Sequence, residues 1–230
     1  WLGTYFGGVN YFNPEYEIYT RYSYSSNEKK GLSNPVVGRT IEDKDGNLWI
    51  GTEGGGLNYY NRRTREFKWY RPQEGRNSIS HNNVKALYYD ADKEIIWIGT
   101  HLGGLNKLDI RSGHFTHYRM EEGNPATLPS DIIRDIIPYK SLLIIATQNG
   151  VCLFDPANGQ CQQLFKDSKE GKSIKMVADV TFDSEGTLWI AATGEGVFSY
   201  RFDTCRLTNY RHDATNPNSL SNNNVNNITQ

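Results

Sequence analysis

The chain has 230 residues, with 25 Lys and Arg against 26 Asp and Glu, for a formal net charge of −1. That balance removes any global electrostatic reason to expect nucleic acid or an anionic membrane as the partner. No apolar run approaches the roughly 20 residues needed to cross a bilayer as a helix, and no basic-then-apolar leader opens the chain.

Only 37% of residues are hydrophobic, but 13% are aromatic, including 15 Tyr and 5 Trp, so a core can be built from few aliphatics. The 22 Gly and 2 Met favour β-structure with many tight turns. From the N-terminus, "WLGTYFGGVNYF" (1–12) reads as strand, glycine hairpin, strand. The phrase returns as "LWIGTEGGGLNYY" (48–60), "IWIGTHLGGLNKL" (96–108), "LIIATQNGVCLF" (143–154) and "LWIAATGEGVFSY" (188–200). Aligned on the Trp position, the units centre on Trp1, Trp49, Trp97, Ile144 and Trp189, with steps of 48, 48, 47 and 45 residues. A fixed period in the 40s marks a propeller or similar array.

The unit around Trp49 divides into "VVGRTIED" (36–43), "LWIGT" (48–52), "LNYYN" (57–61) and "FKWYR" (67–71). These stretches have strand lengths and strand composition, and hairpin-length connectors separate them. Four antiparallel strands per period make one blade. Asp43, Asp90 and Asp183 end first strands, where a carboxylate can accept backbone N–H bonds from the turn. The unit at Ile144 lacks both this Asp and the Trp, and is expected to be the least regular blade. Phe67, Phe115, Cys161, Leu207 and Tyr19 share one repeat column. Connections between units also repeat, as "GLSNPV" (31–36), "NSISHNNV" (77–84), "ATLPSDII" (126–133) and "NSLSNNNV" (218–225).

The expected fold is therefore all-β: one β-propeller domain over 1–230 of about five four-stranded antiparallel blades. The segment 225–230 reads as a last inner strand. Trp1 stands in mid-unit, and the chain stops inside the same hairpin at its other end. That pattern fits either a ring closed by its termini or a piece of a larger array.

Three cysteines, Cys152, Cys161 and Cys205, give neither a metal spacing nor a disulfide scaffold. Cys152 and Cys161 flank the turn "DPANG" and could face each other across a hairpin, either oxidised in a permissive compartment or, in the preferred reading, as buried free thiols.

Chemistry-bearing patterns mostly dissolve on inspection. "EGGG" and "HLGG" precede strands, so no helix N-terminus presents amides to a phosphate. "DKDGN" lacks the remaining ligand series of a calcium loop. His114 and His117, three apart on a strand, point to opposite faces. The basic hairpin "NRRTREF" (61–67) reads as a solvated turn. No GxSxG, HExxH or CxxC occurs. No catalytic residue, metal or cofactor is expected.

The motif "DGNLWIGTEGGGLNYYN…FKWYR", followed by "NSISHNNV", resembles the two-component regulator propeller repeat. That resemblance implies the periplasmic sensor region of a bacterial hybrid two-component system, with two stacked seven-bladed propellers, a β-sandwich, a membrane helix and a kinase on the full chain. It also implies poly- or oligosaccharide fragments as inducers, and signalling through a homodimer. A non-catalytic scaffold for a neighbouring domain is the alternative. A propeller lyase or glycosidase is the third reading: streptogramin lyases have similar "D-G-x-L-W" repeats, and His101 with Glu53 is the pair such chemistry would use.

In a four-stranded blade, the second-to-third-strand hairpin and the inter-blade connection lie on one face. Residues that vary there within a constant frame are Tyr5, Phe6, Glu53, His101, Leu102, Gln148, Asn149 and Thr193. Aromatic, acidic, imidazole and amide groups of this kind can stack on a sugar ring and bond its hydroxyls. Arg76, His81 and Lys175, on connections at the same face, would add charge. Arg39, Lys85, Arg134, Asp135, Asp179 and Asn227 on inner strands are expected to reach a channel and pair with one another across it.

Overall fold

The computed structural model describes residues 2–4, 8–13 and 18–229; Trp1, Tyr5 and Phe6 lie outside the described residues. The chain divides into two compact units, Trp1–His117 and Tyr118–Gln230.

The first unit begins with a three-stranded sheet, β1 (Leu2–Thr4), β2 (Gly8–Asn13) and β3 (Ile18–Tyr22). Two four-stranded sheets follow: β4 (Val37–Glu42), β5 (Leu48–Thr52), β6 (Gly56–Asn61) and β7 (Glu66–Tyr70), then β8 (Val84–Asp90), β9 (Ile95–Thr100), β10 (Leu105–Asp109) and β11 (His114–Tyr118). The second unit holds β12 (Ile133–Tyr139), β13 (Leu142–Thr147), β14 (Gly150–Phe154) and β15 (Cys161–Gln163), then β16 (Val177–Phe182), β17 (Leu188–Ala192), β18 (Gly196–Arg201) and β19 (Arg206–Tyr210). In every sheet the strands pair in sequence order, so each sheet is a meander. The expected blade is therefore present as four four-stranded sheets, with three strands in the first sheet among the described residues.

Burial explains why the "WIGT" phrase is apolar throughout instead of alternating. All five residues of β5 and all six of β9 are buried, as expected for strands covered on both faces. Trp49 is 2% exposed and sits beside Tyr59 and Tyr70, with ring centroids at 4.7 and 5.7 Å. One apolar cluster joins Trp49 and Leu57 to Leu87, Ile96, Ile98 and Phe115 of the following sheet. In the second unit, Ile144 and Val151 pack with Val180, Ile190 and Phe198 in the same manner. Each such aliphatic side chain contributes about 1.5–3 kcal/mol on full burial, which is why neighbouring sheets stay together.

The hairpin glycine is a geometric necessity. Gly56 has φ +81°, and a Cβ there would meet the Tyr70 carbonyl oxygen at 2.2 Å. Gly196 repeats this with φ +82° and the Tyr210 carbonyl at 2.2 Å.

The Asp of the repeat does more than cap its turn. Asp43 Oδ1 accepts the N–H groups of Asp45 and Asn47 at 3.0 and 2.9 Å, and its Oδ2 accepts the indole N–H of Trp49 at 3.1 Å. Asp183 does the same with Glu185, Thr187 and Trp189, at 3.0, 2.9 and 2.8 Å. In the unit at Ile144, Tyr139 ends the first strand where Asp would stand. A two-residue turn, with Lys140 at φ +55°, replaces the longer one. Tyr139 stacks on Phe182 and Phe202, with centroids at 5.5 and 4.3 Å. This sheet keeps four strands, so the expected irregularity is confined to its tight turn and its three-residue outer strand β15.

The last inner strand expected over 225–230 does not form across the described residues 225–229. No ladder partner lies beside this segment within its unit. It is instead held side-on, with the Ile228 N–H donating to Asp179 Oδ2 at 2.8 Å.

Candidate functional site

One backbone hydrogen bond recurs at every described unit of the candidate face. The residue after the hairpin-closing strand donates its N–H to the carbonyl just before the inner strand. The bonds are Glu53 to Val36 at 3.0 Å, His101 to Asn83 at 2.9 Å, Gln148 to Ile132 at 3.0 Å and Thr193 to Met176 at 3.2 Å. Different side chains thus stand on the same local frame, Glu53 and His101 in the first unit and Gln148 and Thr193 in the second, and variation on a constant local frame is what a recognition surface needs.

Within the first unit, Asn83 gathers the site. It bridges to Glu53 as an isolated antiparallel pair and accepts the His101 N–H, and its own N–H donates to His81 Nδ1 at 3.1 Å. The Lys85 ammonium pairs with the Glu53 carboxylate, and both side chains keep part of their surface open, at 22% and 38%. Lys85 reaches Glu53 because the inner strand shifts register between Val84 and Ala86, which re-aims the residue between them. The same shift occurs at Val37/Thr40, Ile133/Asp135 and Val177/Asp179. The His101 ring keeps Nδ1 out of contact with solvent.

Leu102 stands out. Its column holds Gly54 at φ +98° and Gly194 at φ +82°, yet Leu102 takes φ +76° with its side chain 55% exposed. Arg76 is not drawn into this group; its guanidinium bonds Gln73 Oε1 at 3.3 Å in an outer turn.

In the second unit, Asn149 turns its amide to the Pro129 carbonyl at 3.2 Å and accepts from Gln163 Nε2 at 2.9 Å through its own carbonyl. Gln148 uses its backbone at both ends, since its carbonyl accepts the Met176 N–H at 2.7 Å. Lys175 is exposed. Beside Thr193, Glu195 pairs with Arg211 at 2.5 Å, a charged pair absent from the sequence-based candidates.

Two of the inner-strand carboxylates also bond backbone amides of the inner segment that follows. Asp135 and Asp179 are 4% and 5% exposed, and their carboxylates accept the N–H groups of Val180 and Ile228 at 3.4 and 2.8 Å. They stitch β12 to β16, and β16 to the segment at Ile228.

Sequence reasoning also missed the asparagines. The Asn82 carbonyl accepts the N–H groups of Gly54 and Gly56, and the Asn223 carbonyl those of Gly194 and Gly196. The signal was present in "HNNV" and "NNNV". Among the described residues, no group of three His, Cys, Asp or Glu side chains is placed to hold a metal ion. No described helix is long and apolar enough to cross a membrane.

Residues 31–54 and 78–101 match the two-component regulator propeller family, each match running from an inter-blade connection to the candidate face. No curated protein is significantly similar to the chain. Among solved structures, the chain is similar to the extracellular domain of BT3049 of B. thetaiotaomicron, described as a hybrid two-component system. That likeness has a TM-score of 0.74 and 22% identity, over 98% of this chain and 35% of that one. Two structures of the extracellular domain of BT4673 from the same organism, described as a one-component system and as a hybrid two-component system, are also similar. Their TM-scores are 0.71 and 0.65 at 23% and 24% identity, over 90% and 84% of this chain. The chain spans only 29% and 26% of those two, so about a third or less of each relative is represented. At these identities the likeness assigns the β-propeller fold.

Proposed function

We propose that this propeller segment, which carries two-component regulator propeller repeats, is part of the extracytoplasmic, periplasmic sensor region of a hybrid two-component signalling protein. The observation that carries the reading is the pairing of family repeats with a local backbone frame that recurs in each unit, presenting Glu53 and His101 in the first and Gln148 and Thr193 in the second. In this reading, further blades and a β-sandwich lie on the same chain. A poly- or oligosaccharide fragment engages the face, and a homodimer carries the signal inward.

The chemistry suits a sugar. The Glu53 carboxylate can accept from two hydroxyls, Lys85 can donate to one, and Leu102 offers apolar surface to a ring face. A glycan bearing carboxylates would gain from Lys85. No nucleic acid partner, resident cofactor or catalytic step belongs to the proposal. The scaffold alternative draws support from the Glu53–Lys85 pair, since each charge already satisfies the other.

The test is a thermal-shift screen of the chain against plant, host and microbial oligosaccharides, with calorimetry on each hit. A native-state ligand at a hundred times Kd adds about 2.7 kcal/mol, a readily seen shift. Binding abolished by Glu53→Gln with His101→Ala supports the sensor face. Binding untouched by both moves the ligand elsewhere, and turnover lost with them would make the chain an enzyme.

A further inference from the structure

We propose that Cys152 and Cys161 form a covalent modification site, a disulfide that cross-links strands β14 and β15 in the one described blade lacking the Asp–Trp anchor.

The two sulfurs lie 3.3 Å apart although the residues are nine positions apart in sequence. In the strand register Cys152 faces Gln163 and Cys161 faces Phe154, so the cysteines are diagonal neighbours on one side of the ladder. Diagonal neighbours touch only when their side chains turn toward each other, and these do.

The repeat supplies a control for coincidence. The Cys152 column holds Asn58 and Asn106, each opposite a β-branched residue of the second strand, and Phe198. The Cys161 column holds Phe67, Phe115 and Leu207. Two separate columns therefore turn to cysteine in the same blade, at positions whose sulfurs meet. That blade is also the one in which Tyr139 and Ile144 replace Asp and Trp. A link between β14 and β15 would fasten its outer edge, where β15 is only three residues long and paired on one side.

Access distinguishes the two thiols. Cys152 is fully enclosed, while Cys161 is 6% exposed and lines a groove of about 550 Å³ with Pro125, Ala126 and Phe165. Burial and the adjacent Cys161 push the Cys152 thiol well above its ordinary value, which disfavours it as first attacker.

A small-molecule disulfide such as oxidised glutathione is the oxidant. The Cys161 thiolate attacks one glutathione sulfur, and the other glutathione leaves as thiolate. Cys152 then attacks the Cys161 sulfur, forms the protein disulfide and expels the second glutathione. The two protons from the cysteines end on the two reduced glutathiones, so electrons and atoms balance.

The experiment exposes the 230-residue chain to oxidised glutathione, traps remaining thiols with iodoacetamide after unfolding, and measures intact mass and peptides. The expected result is a Cys152–Cys161 linked peptide that carries neither alkyl group nor glutathione, with the exposed Cys205 alkylated or glutathionylated, and a Tm about 5 °C higher than with reductant. In Cys152→Ser the glutathione should stay on Cys161, and reductant should no longer move Tm through a cross-link. Should that variant not fold, labelling of the unmodified chain decides alone. Three alkylated cysteines after oxidation, or glutathione persisting on Cys161 while Cys152 is intact, would overturn the proposal.

Discussion

The indole N–H of Trp189 donates to Asp183 Oδ2 at 2.8 Å, and Trp49 repeats the bond to Asp43 at 3.1 Å. A turn carboxylate six residues upstream thus fixes the orientation of the largest side chain in the blade core. Where the Asp is missing, at Tyr139, the Trp is missing too. The pair behaves as one unit of the repeat.

Trp49→Phe should therefore cost more than its small change in volume. The phenyl ring keeps most of the apolar burial, but Asp43 loses a donor in a part-buried setting. A hydrogen bond to a charged group contributes about 1.5–3 kcal/mol, and a loss in that range is expected from urea unfolding. A change below about 0.5 kcal/mol would mean that water replaces the indole N–H without penalty.

Acid should weaken the same device. The Trp189 N–H bond, followed by the Thr187 amide, holds the Asp183 carboxyl below the usual aspartate range. A depressed folded value means that the stabilisation is complete above the unfolded value and is lost as pH falls through the folded one. Unfolding midpoints measured from pH 7 down to 2 should separate the natural chain from Asp183→Asn at neutral pH. The two curves should converge in acid, where both side chains are neutral. Parallel curves over the whole range would contradict the linkage.

How much of this was readable beforehand follows from what each residue type reports. Gly56 and Gly196 announce a hairpin because no other residue fits under the Tyr70 and Tyr210 carbonyls, so strands and blades were legible to within a residue or two. The repeated local frame was legible too, because the "GT" column recurs while the residue that follows it, Glu53, His101, Gln148 or Thr193, does not. The partnerships were not. Asp43 was read as a turn cap because its link to Trp49 depends on a rotamer pointing across the hairpin. For Asp135 and Asp179, alternation gives a face but not which backbone amide lies opposite. The segment 225–229 has strand composition, but strand formation needs a neighbour to pair with.

Leu102 offers a direct test of the candidate face. A leucine at φ +76° carries a left-handed penalty of roughly 1–2 kcal/mol, and the exposed side chain recovers little of it by burial. Leu102→Gly adopts the conformation its column partners Gly54 and Gly194 already use. After the extra entropy of an unfolded glycine is subtracted, the variant should be about 0.5–1 kcal/mol more stable by thermal or urea denaturation. If the leucine is there for contact, the same variant should lose ligand affinity while gaining stability. Lower stability would show instead that Leu102 packs in place and that its conformation is sustained by that packing.

Asn58 tests the frame behind the face. It is fully buried on β6, where its Oδ1 accepts the Ser33 N–H at 2.8 Å and its Nδ2 donates to the Ile50 carbonyl at 3.3 Å. Asn106 repeats the first bond with Ser80 at 2.8 Å. Each asparagine thereby ties the connection that enters its blade to the third strand, and so sets where the inner strand and the candidate face begin. Asn58→Ala leaves the buried Ser33 amide without its acceptor and opens a small void, and an unsatisfied buried group costs about 1–3 kcal/mol. Loss of that size is expected at Asn58. Cys152→Ala, at the same column in a blade that does not use this bond, should leave the Ser130 connection intact and cost only the lost sulfur packing in reduced protein. Hydrogen exchange at Ser33 and Ser130 separates the two cases: the Ser33 amide should exchange faster in Asn58→Ala, and the Ser130 amide should be unchanged in Cys152→Ala. Equal protection of Ser33 in both proteins would mean the connection is held by packing of Leu32 rather than by the asparagine.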